Sequence, residues 1–122
     1  MTQMRTLDPA FPIQRQFAVD ASPVVLVNLI TMDKADEQAF LEIWGREAVA
    51  MKQKPGYIST QLHRAIGDSP TYLNYAVWES TAHFRAAREN SATADESIVI
   101  PSSIVSAPHL FQKVALKGIC VA

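Results

Sequence analysis

Few residues in this chain have the chemistry to act on a ligand, and two of them fall in one short run. Thr71 to Ser80 reads TYLNYAVWES, β-branched and aromatic residues of a strand with an amide, Asn74, inside it and an indole, Trp78, four residues on. Strand side chains alternate between faces, so Tyr72, Asn74, Ala76 and Trp78 share one side and Leu73, Tyr75, Val77 and Glu79 the other. An Asn amide carries two N–H donors and Trp carries one, all of them neutral. Such donors suit an oxyanion forming on a ring held in a water-poor pocket, because they stabilise charge without adding a competing acid. Four residues span roughly 13 Å of strand. The two side chains therefore suit different ends of a fused or substituted ring system better than a single atom.

The other candidates are quieter. Asn28 interrupts the apolar run PVVLVNLITM, and Phe40, Trp44, Tyr72 and Phe84 supply apolar surface. Each also has an ordinary structural role open to it. Asn74 and Asn28 can close local hydrogen bonds, as buried amides usually do, and the aromatic residues can simply fill the core. His63, His83 and His109 show no metal-ligand spacing, and His63 or His83 could serve as a general base. Glycine-rich phosphate loops and nucleophile motifs are missing, which weighs against nucleotide chemistry and acyl transfer. The lone Cys120 reads as a small hydrophobe in a terminal strand.

These residues need elements to hold them. The chain has 122 residues, 48% hydrophobic and 19% charged, with a net charge of −1; that is one globular domain able to bury a core. Scattered Lys and Arg argue against a nucleic acid or membrane-surface partner, and the absence of a long apolar span or leader leads us to expect a cytoplasmic protein. Residues 1–21 carry Pro9 and Pro12 without a sustained period and read as an extended arm, with a short strand expected at IQRQFAV. Residues 22–122 form the domain. Pro23 to Met32 is a strand buried on both faces. Asp33 to Lys54 is a helix, acidic at its start, with Phe40, Ile43, Trp44, Ala48 and Met51 as its apolar stripe and Pro55-Gly56 as its stop.

YISTQLHRAI, GDSP and TYLNYAVWES then read as an antiparallel hairpin. Ser80 caps a second helix, TAHFRAAREN. Ser91 to Pro108 suggests a broken helix or irregular cover, and His109 to Ala122 a long last strand bending near Gly118. The order β-α-β-β-α-β is the ferredoxin-like α+β arrangement, an antiparallel sheet with both helices on one face. Its other face, with Leu73, Tyr75 and Val77, is apolar and uncovered, so a homodimer is expected.

A Trp-bearing helix ending in KPGYISTQLHR, followed by a turn, YLNYAVWES and an amphipathic helix, resembles the antibiotic biosynthesis monooxygenase family from about Val24 to Asn90. The resemblance implies a dimeric α+β barrel with a pocket between each sheet and its own helices. For the quinone-forming members it implies Asn74 and Trp78 as catalytic residues, and beside them we read Asn28, Phe40, Trp44, Tyr72 and Phe84 as lining the substrate. Those members carry a Tyr where Phe84 stands. The implied reaction is oxidation of a small phenolic or hydroquinone aromatic substrate by O2, with no cofactor and no metal. Two alternatives remain open: a dimer that binds a small aromatic ligand without turnover, and a haem-binding or haem-degrading dimer. Haem degraders of this superfamily use a first-strand Asn, the same Trp and a His ligand from the second-helix region. Asn28 and Trp78 match, but no His lies between Arg85 and Pro108.

Overall fold

The computed structural model describes residues 3–89 and 99–122. Its elements are β1 (Gln3–Met4), α1 (Ile13–Gln16), β2 (Val24–Thr31), a 3-10 turn at Lys34–Asp36, α2 (Glu37–Met51), β3 (Tyr57–Arg64), β4 (Thr71–Trp78), α3 (Thr81–Glu89) and β5 (Val105–Phe111). The sheet order is β1-β5-β2-β4-β3. From β2 to β5 every neighbouring pair is antiparallel, and β1 adds two residues parallel to β5. This is the expected ferredoxin-like sheet with a short extra edge strand.

Local chemistry explains the boundaries. The backbone N–H of His83 donates to Ser80 Oγ at 3.1 Å, which makes Ser80 the N-cap of α3. The starts of β2 and α3 are tied by a reciprocal pair, Ala21 N–H to Thr81 Oγ1 at 3.1 Å and Thr81 N–H to Ala21 O at 3.0 Å. Those bonds satisfy the buried Thr81. At the end of α2 the chain reverses through Gly56, whose φ is 86°. A Cβ there would stand 2.3 Å from the His83 ring carbon Cγ, so Gly56 is required by conformation and by close approach alike. Gly67 has φ 71° but no atom within 4 Å of a built Cβ. We expect Gly56→Ala to cost about 3 kcal/mol or more in urea unfolding and Gly67→Ala about 1 kcal/mol, the difference reporting the His83 overlap.

Three sequence expectations are corrected. Ile13 to Val19 is not a strand; Ile13–Gln16 is a helical turn opened by Pro12. One helical turn puts Ile13 and Gln16 on the same side, and both are buried. Gln16 Oε1 accepts from Leu110 N–H at 2.7 Å while its Nε2 donates to Phe11 O at 2.7 Å, so the residue covers the free edge of β5. The last strand is Val105–Phe111, not His109 to Ala122. Val25 opposite Phe111 is the last register pair with β2, so residues 112–122 have no strand to pair with there. Pro108 fits inside β5 because β1 has ended by Ser106 and the missing N–H falls on that open edge. Cys120 accordingly lies exposed in a turn rather than in a strand. The expectation for Ser91 to Pro108 falls partly outside the described residues: 91–98 lie outside, and 99–104 are irregular before β5. Among the described residues no helix is long and apolar enough to cross a membrane.

Candidate functional site

The apolar core is divided in two. One cluster gathers Val24, Leu26, Ala76, Trp78, Phe84 and Ala87, with Tyr57, Met51 and Leu110 packed against it. The other gathers Ile30, Met32, Phe40, Tyr72 and Ile104, with Trp44 and Leu62 against it. On the two central strands the division falls at the same level: on β2 at Asn28, between Leu26 and Ile30, and on β4 at Asn74, between Tyr72 and Ala76.

Asn28 and Asn74 are direct partners in the β2–β4 register, and alternation places both on the helix-facing side of the sheet. Partners across an antiparallel pair have Cβ atoms about 5 Å apart, so both amides can reach one ligand group. Asn74 Oδ1 accepts from Thr60 Oγ1 at 2.7 Å. That bond fixes the amide with its Nδ2 donor away from Thr60, and Nδ2 has no hydrogen bond among the described residues. Asn28 Oδ1 is buried and has no hydrogen-bond partner among the described residues. Leaving such an acceptor unpaired costs about 1–3 kcal/mol, and nearly all buried polar groups avoid it. An unmet acceptor and a free donor side by side form a socket for a group that both gives and takes a hydrogen bond.

Helix α2 covers this level from the other side. Phe40, Trp44 and Met51 share its sheet-facing stripe, the first two reaching one cluster and Met51 the other. At 3.6 residues per turn Glu47 stands in the middle of that stripe. Its carboxyl is reached by solvent, yet surrounding protein strips part of its hydration and raises its pKa above the usual carboxylate value. At the start of α2 Arg64 bonds Glu37 with Nε at 2.8 Å and Nη2 at 3.3 Å, and Tyr72 Oη donates to the same carboxylate at 2.9 Å. The Arg64 and Tyr72 bonds hold Glu37 below its ordinary range, while burial and then the Glu37 bond push the Tyr72 phenol up.

The seven residues singled out from sequence all lie on elements bordering this space, at different levels of it. Asn28 and Asn74 meet. Tyr72 and Phe40 stack at 4.9 Å, with Trp44 beside them, at one end. Trp78 and Phe84, 5.7 Å apart, sit in the opposite cluster, and Trp78 also makes an edge contact with Tyr57 at 5.6 Å. Asn74 and Trp78 are thus separated along the strand, whereas Asn74 and Asn28 are adjacent. Sequence reasoning did not single out Thr60, whose hydroxyl bonds the Asn74 amide oxygen. His63 pairs with Leu73 on the sheet's other face, His109 lies beside Gln16, and His83 Nδ1 is 2.7 Å from Ser80 Oγ. His63 and His109 lie one residue from Leu62 and Pro108, the register partners of Asn74 and Asn28, but alternation puts them on the sheet's other face. Among the described residues no group of three His, Cys, Asp or Glu side chains could hold a metal ion. Two concavities of about 700 and about 250 Å³ are lined by Ala115–Val121 and by Asp20–Ser22 with Ser80–Ala82, away from the paired amides.

Comparison with known proteins follows this geometry. The sequence profile for antibiotic biosynthesis monooxygenases matches residues 23–95, more than half of the chain. No protein of curated function matches the sequence. Among solved structures, one from Shewanella loihica PV-4, provisionally assigned as a monooxygenase, superposes with a TM-score of 0.66 at 28% identity, covering 78% of this chain and 97% of that one. SnoaB, a cofactor-independent oxygenase from Streptomyces nogalater, superposes with a TM-score of 0.57 at 25% identity, covering 80% and 99%. The haem degrader MhuD from Mycobacterium tuberculosis, at 24% identity, shares the fold with a TM-score of 0.60 over 78% and 99%. The profile match, the βαββαβ sheet and these neighbours agree, and this chain belongs to the antibiotic biosynthesis monooxygenase family.

Proposed function

We propose that this protein is a cofactor-independent monooxygenase that converts a phenolic or hydroquinone-type aromatic substrate to a quinone with O2. The observation carrying the reading is the unpaired Asn28 Oδ1 beside the Asn74 amide at the level where the two described core clusters part. A phenolic oxygen fits that socket, because its O–H can donate to Asn28 and its lone pairs can accept from Asn74. Phe40, Trp44 and Tyr72 form one apolar wall and Trp78 with Phe84 the other. For a phenol the net change is C–H plus O–H plus O2 giving a quinone and one water: one oxygen atom enters the ring and the other leaves as water. The ring itself supplies the electrons once it is a phenolate. The protein's contribution is to hold the ring away from water and to stabilise its oxyanion. SnoaB, described as a cofactor-independent oxygenase, supports the class. The haem-degrading reading is not favoured, because no His lies between Arg85 and Pro108, the region from which such a ligand would come. Oxygen uptake with a panel of naphthols and dihydroxynaphthalenes tests the proposal: uptake matched by quinone absorbance is expected, and tight binding without uptake would make the protein a ligand-binding dimer instead.

The partner on the sheet's outer face is a second copy of this chain. Val27, Leu29, Leu73 and Val77 there are half-buried, and Tyr75 and Phe111 are 40% and 42% exposed, an apolar surface running across three strands. A two-fold axis would cover it with itself. Sedimentation should give a dimer for the native protein, and Tyr75→Glu should shift it to monomer at micromolar concentration. A native monomer would refute the assignment.

A further inference from the structure

We propose that Thr60 is a positioning residue that makes the paired-amide socket selective for an aromatic hydroxyl over an aromatic amine. This inference rests on the phenol reading above and deepens it.

The sheet sets three polar side chains in a row. Strand β4 lies between β2 and β3. Asn28 of β2 is the register partner of Asn74, and Thr60 of β3 pairs with Ala76, two residues along β4 on the same helix-facing side. Diagonal neighbours of this kind are within side-chain reach, and Thr60 Oγ1 donates to Asn74 Oδ1 at 2.7 Å. The oxygen and nitrogen of an amide stand on opposite sides of its carbon. An Asn74 oxygen turned toward β3 therefore leaves its nitrogen toward β2, where Asn28 Oδ1 is buried without a partner among the described residues.

The Thr60 bond holds the amide in this sense. After a half-turn the Asn74 N–H would meet Thr60 Oγ1, which can accept it. The Thr60 proton would then lose the acceptor it has among the described residues. Leaving a part-buried donor unpaired is costly, and that cost opposes the turn. A Val at this position has a methyl in place of the hydroxyl and bonds neither amide atom. Asn74 would then be free to turn to suit its ligand.

Orientation sets the class of ligand. As held, the socket offers one acceptor, Asn28 Oδ1, and one donor, Asn74 Nδ2. An aromatic hydroxyl gives one proton and carries lone pairs, so it answers both. An aromatic amine of the same shape gives two protons, and its lone pair is drawn into the ring. One of its N–H groups would face the Asn74 donor. With the amide turned, the socket would offer two acceptors, and the amine would be the better match. A donor kept toward the ligand is also what a developing oxyanion requires.

Two ligands of one shape test the assignment. 1-Naphthol and 1-naphthylamine share a ring system and are both uncharged near neutral pH, and calorimetry gives their affinities. The native protein should bind the naphthol about tenfold or more tightly than the amine. Thr60→Val should bring the two affinities within about threefold, and Thr60→Ser, which keeps the hydroxyl, should restore the preference. A loss of packing would weaken both ligands together, so the ratio reports orientation and not stability. Thr60→Val added to Asn74→Ala should change neither the ratio nor oxygen uptake, as expected of a residue that acts only through Asn74. The same naphthol preference in native, Val and Ser proteins would overturn the Thr60 assignment and leave the oxygenase reading standing. If the native protein binds no naphthol, the oxygenase reading falls and the Thr60 assignment falls with it.

Discussion

Asn74→Ala is expected to lower kcat by about 10²- to 10³-fold with little change in KM, the loss seen when one donor to a developing oxyanion is removed. The fold should survive. Asn74 loses one bond, from Thr60 Oγ1, and a neutral hydrogen bond contributes about 1 kcal/mol. Asn74→Asp should be at least as slow, because a carboxylate in the same place repels the oxyanion. Asn28 gives the opposing control. Its Oδ1 is buried without a partner, so Asn28→Val should raise stability by about 1 kcal/mol while lowering turnover. Thermal unfolding and oxygen uptake on the same preparations decide the matter. Slower turnover in both variants, with stability moving in opposite directions, identifies a polar pair kept for chemistry. An Asn74→Ala enzyme as fast as the native one would remove Asn74 from the mechanism.

The pattern legible in sequence was the one written in periodicity. Alternation in TYLNYAVWES assigned both faces of β4, and the register confirms them: Tyr72, Ala76 and Trp78 are buried toward the helices while Tyr75 is exposed. Helical spacing found α2, and Ser80 was named as the cap that it is. What periodicity could not supply was pairing between strands distant in sequence. Asn28 and Asn74 become neighbours only through the β2–β4 register, which depends on the whole sheet. The N-terminal helical turn was hidden for a similar reason. Gln16 is buried because it meets the edge of β5, a contact spanning most of the chain. The early end of β5 is likewise set by where β2 begins.

Trp78 separates packing from chemistry most sharply. It is 2% exposed, meets Tyr57 edge-on and Phe84 at a tilt, and lies opposite Val24 at the edge of the central sheet pair. Trp78→Ala should therefore cost about 3–5 kcal/mol, through lost transfer energy and the cavity left behind. Against a domain stability of about 5–15 kcal/mol, that is enough to leave much of the protein unfolded on mild heating. Loss of activity in this variant would say nothing about a donor role. Trp78→Phe is the informative change: it keeps an aromatic ring against Tyr57 and Phe84 and deletes the indole N–H. We expect it to fold with a cost of about 1–2 kcal/mol and to retain kcat within about tenfold. The reason is distance, since four residues of strand place Trp78 roughly 13 Å from Asn74. In the proposed site it is the amide of Asn28, the register partner of Asn74, that shares the phenolic oxygen. A hundredfold loss in a well-folded Trp78→Phe enzyme would reverse that ranking. It would mean that the indole N–H reaches the far end of an extended, fused-ring substrate, and the substrate search would then move to larger ring systems.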